Sequence, residues 1–348
     1  MSKKGNAIII HGGGLVDPSK FILMRLAYNL KQNQIYEKIY LGKYSFESLY
    51  TPEFLLEYNS ELVEALKTKR GCYFGTCRGI DLTDPTLSQK TIECLKAKNV
   101  STVIVAGGDG SSRQVAEIKD TFMKEGINFI FAIPLTVDGI NGGDSVGLKQ
   151  AVRESVRQIE NIVSTSLETR DKGIFGVVAV ELQGRNRDDI MANVLHAFVK
   201  SESIADCHLI DILLRVVPAN IETNKDKLME EINQTSKRTL ILISEGADIK
   251  IKDLIDESNR KVRSLTVGHS SQSNEMTTAE DEHEYGKWID RVTSIIAKNP
   301  YECFSVVKHG RYYRKDSIDY YAKLNPRKAQ VAEIDESLNK LLKIYMAI

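Results

Sequence analysis

The sequence predicts an α/β protein built as two Rossmann-like lobes, each with a mostly parallel sheet, and a cleft between them. Three observations predict it. Apolar, β-branched runs alternate with segments of helical period almost from end to end, a pattern that belongs to parallel sheets covered by helices. The chain has 348 residues, room for about two domains at roughly 150 residues each. The alternation breaks near residue 150 and then restarts.

The elements follow in order. Ala7–Ile10 reads as a strand. Asp17-Pro18 opens a helix, with a capping residue followed by proline at the first helical position. Ile35–Leu41 reads as a second strand and Phe54–Leu66 as a helix. Thr102–Val105 is a buried strand that runs into a glycine turn and a helix from Ser111 to Ile118. Phe129–Ile133 is the next strand, closed by Pro134. A long helix starts near Asp144, with Val152, Val156, Ile159 and Val163 on one face. The second half gives a strand at Ile174–Val180, a helix at Asp188–Val199, and strands at Cys207–Leu214 and Thr239–Ser244. A last helix, Lys328–Ala347, carries Val331, Ile334, Leu338, Leu341, Leu342 and Tyr345.

Composition excludes several classes. Lys plus Arg and Asp plus Glu both number 47, so no global field favours nucleic acid or an anionic membrane. No apolar run reaches membrane-spanning length, and the N-terminus lacks the apolar core of a signal peptide. Five cysteines, Cys72, Cys77, Cys94, Cys207 and Cys303, are odd in number and lack C-x-x-C spacing. They read as reduced thiols of a cytoplasmic protein. No P-loop, dinucleotide fingerprint or H-E-x-x-H motif occurs. Glu280-Asp281-Glu282-His283-Glu284 reads as an exposed acidic helix face.

Two runs carry chemistry. The first is Ala106-Gly107-Gly108-Asp109-Gly110-Ser111-Ser112. A strand, a glycine turn and a helix N-terminus hold phosphate, because glycine lets the backbone approach and free N–H groups face the anion. A carboxylate there repels phosphate unless a cation lies between, so Asp109 implies Mg²⁺. The alternative is that Asp109 caps the helix or makes an Asx turn. The second run is Pro134-Leu135-Thr136-Val137-Asp138-Gly139. Loops at the carboxyl ends of parallel strands converge on one crevice, which would bring Asp138 to the same ligand. The alternative for Asp138 is a turn residue before Gly139.

These motifs, in this order, resemble the phosphofructokinase family, over most of the chain and most strongly from about Gly71 to Arg185. The resemblance implies the phosphofructokinase fold. It puts the phosphoryl-donor lobe at 1–150 plus about 270–312, and the acceptor lobe at 151–269 plus 313–348. Gly71-Cys72-Tyr73-Phe74-Gly75-Thr76-Cys77-Arg78 is similar to the glycine-rich segment whose arginine, here Arg78, meets the donor phosphates. Gly107-Gly108-Asp109-Gly110-Ser111 matches the family's GGDGS, whose aspartate handles Mg²⁺, and Gly12-Gly13 belongs to the same cradle. Pro134–Asp138 resembles P-x-T-I-D, which implies that Asp138 is the general base, with Thr136 beside it. Gln183-Gly184-Arg185 resembles Met-Gly-Arg, which contacts the acceptor and the transferring phosphoryl. Ser244-Glu245-Gly246-Ala247 resembles an acceptor-side segment, and Arg263 with His269 an arginine–histidine pair that holds a sugar phosphate.

The implied activity is transfer of the γ-phosphoryl of MgATP to a hydroxyl of a small sugar-like metabolite, by a cytoplasmic homo-oligomer, dimer or tetramer. No nucleic acid or membrane partner is implied. The donor half is mostly kept, though Gly14-Leu15-Val16-Asp17 replaces the family's first loop; the other departures bear on acceptor binding. Asp138-Gly139-Ile140 lacks the family's second aspartate, Asp211-Ile212 stands for Pro-Glu, and Ser270–Asn274 carries no arginine. Ordinary fructose 6-phosphate is therefore not the expected acceptor. Pyrophosphate members resemble GGDD and P-K-T, where this chain has Gly110 and Leu135. A pyrophosphate-dependent enzyme and a non-catalytic ligand-binding homologue are the alternatives. The lipid and NAD kinases also use GGDG, but follow it with an all-β lobe.

Overall fold

The computed structural model describes residues 5–13, 18–67, 73–137, 140, 144–167, 169–171, 173–184, 188–200, 212–268, 278–324 and 336–346. The chain divides into two compact units, Met1–Gly147 with Gln272–Lys328, and Leu148–Ser271 with Ala329–Ile348.

The first unit is organised by a sheet of eight strands. In chain order they are β1 (Asn6–Gly12), β2 (Ile39–Gly42), β3 (Leu55–Glu57), β4 (Val100–Gly107), β5 (Asn128–Thr136), β6 (Val146–Gly147), β13 (Phe304–His309) and β14 (Tyr312–Asp316). The sheet order is β14-β13-β5-β4-β1-β2-β3, with β6 paired to the end of β5. The central strands run parallel; β3 and β14 are antiparallel edges. β1 and β4 are buried almost throughout, as near-continuous apolar strands covered on both faces must be. Ile8, Ile10, Val103, Val105, Phe129 and Phe131 form the core against α4 (Asp109–Lys124). Because β2 and β4 lie on opposite sides of β1, the strand order reverses between β1 and β4. Ligands of open α/β sheets bind at that reversal, beyond the carboxyl ends.

The second unit holds a parallel sheet of order β10-β11-β9-β12. Its strands are β9 (Val177–Leu182), β10 (Ile212–Val217), β11 (Arg238–Ser244) and β12 (Val262–Val267). A short hairpin, β7 (Arg170–Asp171) with β8 (Ile174–Phe175), precedes it. α5 (Leu148–Ser166) packs on β9 and β12. α6 (Asp189–Val199) packs on α5 and on the C-terminal helix Glu336–Tyr345. Arg260 is buried beside this sheet. Its guanidinium donates to the carbonyls of Phe175, Gly176, Ile232 and Lys237 and to Thr239 Oγ1, at 2.7–3.1 Å. Burial pulls its pKa down from the usual arginine value.

Several expectations are corrected. The second strand is Ile39–Gly42 only, because Gln34 takes a positive φ of 51° in a turn after the first helix. The segment expected as one helix from Phe54 to Leu66 is a 3₁₀ turn at Pro52–Phe54, then β3, then a helix at Ser60–Lys67. Leu55–Glu57 pairs with Tyr40–Gly42 instead. β5 does not stop at Pro134 but runs on to Thr136. Its register slips opposite Val105 and Ala106, so Pro134 sits past an irregularity, where a missing N–H is tolerated. On α5, Ile159 and Val163 are buried, but Val152 and Val156 only in part. Glu154 takes the inner face instead, with Arg157 and Gln158 donating to its carboxylate at 2.5–2.8 Å. The expected strand at Ile174–Val180 is split into β8 and β9. Residues 313–324, expected in the second lobe, belong with the first unit, through the β13–β14 pairing and the burial of Tyr321 against Phe131. The acidic run at 280–284 opens the helix Ala279–Lys298, where Asp281 forms a capping box with Thr278. Acidic groups are favourable at that helix end. Residues 207–211 and 325–335, within the strand and helix expected there, lie outside the described residues.

Candidate functional site

The carboxyl ends of β1, β4 and β5 converge at the strand reversal. Gly13 follows β1 with φ of 116°, a conformation that favours glycine. A Cβ there would stand 3.2 Å from Gly108 N and 3.3 Å from Leu135 O. A Cβ on Gly108 would stand 3.3 Å from Thr136 Cβ. The three loops therefore touch through bare backbone, leaving a cavity of about 430 Å³ above them. Gly13, Arg78, Gly108, Asp109, Gly110, Ser111 and Thr136 line it.

Gly12 and Gly107 have a different task. They are paired across β1 and β4, and neither lines the cavity. A Cβ on Gly107 would meet Gly12 O at 2.4 Å, and one on Gly12 would meet Ser111 Oγ at 2.2 Å. They let the strands and the first turn of α4 close up beneath the site.

The N-terminus of α4 supplies the positive end. The helix starts at Asp109, two residues earlier than expected, and its N-cap is Gly108. Asp109 is thus the first helical residue and not the cap. The Gly108 N–H donates to the Gly12 carbonyl at 3.3 Å, while Gly108 itself lines the cavity. The N–H groups of Gly110 and Ser111 belong to the first turn, which has no intrahelical acceptors. A Cβ on Gly110 would meet nothing within 4 Å. Arg78 is exposed at the cavity and has no ion-pair partner among the described residues. Among the described residues no group of three or more His, Cys, Asp or Glu could hold a metal by itself. Asp109 alone on the wall fits a Mg²⁺ that takes its other ligands from phosphate oxygens and water.

Sequence reasoning did not single out Ser45, Phe46, Gly79, Ile80 and Gln114, which also line the cavity beside Thr76 and Cys77 of the glycine-rich segment. Tyr44 and Ser45 both take positive φ, 59° and 60°, and Tyr44 N–H donates to Phe74 O at 2.7 Å. This strain, about 1–3 kcal/mol for each such residue, turns the loop after β2 onto the cavity. No residue type in the sequence announces it. Desolvation, then the Glu47 carboxylate, push the Cys77 thiol above its ordinary pKa. Cys77, Cys94 and Cys303 are free cysteines; Cys72 and Cys207 lie outside the described residues.

Gln183, Gly184, Glu245 and Arg263 belong to the second unit. Gln183 and Gly184 follow β9, and Glu245 follows β11. The Glu245 N–H donates to Leu182 O at 2.8 Å, and Ser244 Oγ to Gly184 O at 3.2 Å, so these three residues share the carboxyl end of the sheet. Lys250 Nζ donates to the Glu245 carbonyl at 2.8 Å. The buried carboxylate of Asp188, which the sequence did not single out, accepts from Ala219 N at 2.7 Å and from Asn220 N and Nδ2 at 3.2 Å. It ties the start of α6 to the turn after β10. Arg263 is not with them. It is the second residue of β12, paired with Val178 at the amino end, about 13 Å along the strand from Val267. Its Nη1 donates to Ser166 Oγ at 3.3 Å. Within one chain it is not a partner of Gln183 or Glu245. Asp138, Arg185 and His269 lie outside the described residues.

A sequence model described as phosphofructokinase matches residues 7–283. The chain belongs to the phosphofructokinase family. It is 25% identical over 241 residues to an ATP-dependent 6-phosphofructokinase of Actinobacillus pleuropneumoniae, covering 67% of each protein. It is 23% identical over 232 residues to the one from Haemophilus influenzae, covering 66% of this chain and 64% of that one. Solved structures share the fold. The pyrophosphate-dependent phosphofructokinase of Marinobacter aquaeolei aligns with a TM-score of 0.74 at 15% identity, over 98% of this chain and 91% of that one. Pichia pastoris phosphofructokinase aligns with a TM-score of 0.72 at 14% identity, over 93% of this chain but 36% of that longer one. In this phosphofructokinase-family chain, no helix among the described residues is long and apolar enough to cross a membrane.

Proposed function

We propose that the chain is a Mg²⁺-dependent phosphotransferase that moves the γ-phosphoryl of ATP to a hydroxyl of a small, sugar-like metabolite. The observation that carries this is the single cavity at the strand reversal. There a helix N-terminus, the Arg78 guanidinium and the Asp109 carboxylate face one space over bare glycine backbone.

Phosphoryl transfer needs in-line positioning and neutralised charge. The N–H groups of Gly110 and Ser111 hold phosphate oxygens, and Arg78 offers a planar fork suited to bidentate contact. Asp109 holds Mg²⁺, which when bound neutralises charge on the transferring group. Thr136 ends β5 at the cavity wall, and the chain leads from it within two residues to Asp138. In this reading Asp138 takes the proton of the acceptor hydroxyl, and Arg185 steadies the transferring phosphoryl. Gln183, Gly184 and Glu245 receive the acceptor on the second unit.

The competing donor is pyrophosphate. Relatives named for ATP and structures named for pyrophosphate both resemble the chain. Gly110, with open space at its Cα, leaves room for a nucleotide, and Leu135 brings no cation, which favours ATP. A phosphate-transfer assay of the purified protein across donors and hydroxylated acceptors tests the proposal. Asp138→Asn is expected to lower turnover at least about 100-fold, within the usual worth of a general base, with little change in ATP affinity. Near-normal turnover of that variant removes Asp138 from the chemistry. Donor binding with no transfer to any acceptor would establish the ligand-binding homologue instead.

A further inference from the structure

Gln114 stands on α4 one turn beyond Gly110, on the wall of the donor cavity. Its Nε2 donates to the Ile80 carbonyl at 3.0 Å. The bond ties the helix to the loop that follows Arg78. These same two segments, further along, enclose a second cavity of about 410 Å³. On the helix it is lined by Glu117, Ile118 and Thr121, the turns after Gln114. On the loop it is lined by Leu82 and Thr83, just after Ile80, and then by Ser88 and Ile92 of the helix Pro85–Ala97. The Gln114–Ile80 bond therefore stands between the two cavities.

Their chemistry differs. The first is lined by Arg78 and a helix N-terminus and suits anions. The second has no Lys, Arg or His among its described lining residues, and its charged member is the carboxylate of Glu117. Leu82, Ile92 and Ile118 give it apolar walls. Ser88 Oγ is buried at this wall with no hydrogen-bond partner among the described residues. A buried hydroxyl left so gains from any ligand edge that meets it. The occupant that fits is flat, mostly apolar and uncharged, with hydrogen-bonding edges, which describes a nucleobase and not a phosphate.

We infer that Gln114 sets the length of the donor. With its bond to Ile80 closed, the first cavity receives a bare phosphate chain. A nucleoside triphosphate reaches the second cavity with its base only when Gln114 releases Ile80. The inference rests on reading the first cavity as the donor site.

Calorimetry with ATP, adenosine and inorganic pyrophosphate tests it on the full chain. Gln114→Ala removes the bond without a helix-breaking residue. It is expected to tighten ATP and adenosine by about three- to tenfold, the worth of one ordinary hydrogen bond, and to leave pyrophosphate unchanged. Gln114→Glu, which cannot donate to a carbonyl, is expected to do the same for adenosine and covers the case in which the alanine variant folds poorly. Ser88→Ala is expected to weaken ATP and adenosine a few-fold and to spare pyrophosphate. An ATP-to-pyrophosphate affinity ratio equal in wild type and Gln114 variants overturns the inference and leaves the donor site standing. Binding of neither donor by the wild type overturns the site reading and the inference together.

Discussion

Gly107 and Gly110 stand three residues apart and answer to alanine in opposite ways. At Gly107 a methyl group meets the Gly12 carbonyl at 2.4 Å, and backbone cannot swing aside as a side chain would. Gly107→Ala is expected to cost about 1–3 kcal/mol of stability by overpacking, read from chemical unfolding. At Gly110 the methyl group meets open space. Alanine there also favours the helix by about 1 kcal/mol over glycine. Gly110→Ala is therefore expected to unfold no earlier than the wild type while changing donor affinity. A Gly110→Ala protein with unchanged donor binding would mean that phosphates do not lie against this turn. The GGDGS run was legible in sequence because its glycines cluster, but the sequence does not tell the packing glycine from the lining one. That difference depends on what lies opposite each Cα.

Two charged side chains hold elements of the second unit together. Arg260 is 7% exposed and fills its donors with four carbonyls and one hydroxyl from three separate segments. Arg260→Ala strands several buried carbonyls at about 1–3 kcal/mol each, so the loss of stability is expected to exceed about 3 kcal/mol. Arg260→Lys is expected to rescue little, because an ammonium lacks the planar fork that reaches five acceptors. Full stability of the lysine variant in thermal unfolding would show that charge alone suffices. Glu154 is 1% exposed while its partner Arg157 is 60% exposed. The Arg157 hydrogen bond holds the Glu154 carboxyl below its ordinary value of 4.5. A depressed folded-state pKa contributes stability above the unfolded value, lost as pH falls through the folded one. With the arginine largely in water, that contribution is about 1 kcal/mol. Acid unfolding scans below pH 4.5 should show a steeper loss in wild type than in Glu154→Gln; identical slopes would refute it. Glu154 escaped the sequence reading because helical period marks apolar residues, and a carboxylate on the inner face breaks the pattern.

Acceptor choice and assembly are properties of the whole molecule. Fructose 6-phosphate is expected to be a poor acceptor. Ser270–Asn274 carries no arginine where the family has one, so a sugar phosphate loses that contact whatever the assembly. Arg263 itself lies at the amino end of β12, while Gln183 and Glu245 lie at the carboxyl end of the same sheet. Losing an arginine contact to a phosphate, at about 1.5–3 kcal/mol for each charged hydrogen bond, weakens binding by roughly tenfold or more. A kcat/KM for fructose 6-phosphate above about 10⁴ M⁻¹s⁻¹, inside the ordinary enzyme range, would contradict this. Arg263 reaches an acceptor at those carboxyl ends only if a second copy presents it. Light scattering at micromolar concentration is expected to find at least a dimer, and a monomer would remove Arg263 from the acceptor site altogether.

The sequence by itself determined the alternation of strand and helix, the glycine turn at 106–112 and membership of one family. These are local or ordered signals: hydrophobic period, glycine spacing, and motifs in fixed succession. Only the tertiary structure decided where the described residues of those motifs stand relative to one another. Sheet order placed Gly13, Gly108 and Thr136 around one cavity, because strands distant in sequence are neighbours across β1, β4 and β5. Parallel register put Arg263 at the wrong end of its strand to join Gln183. Backbone strain at Tyr44 and Ser45 and the Gln114–Ile80 bond have no local signature at all. They arise from how separate segments close on one another, and a one-dimensional pattern does not carry that information.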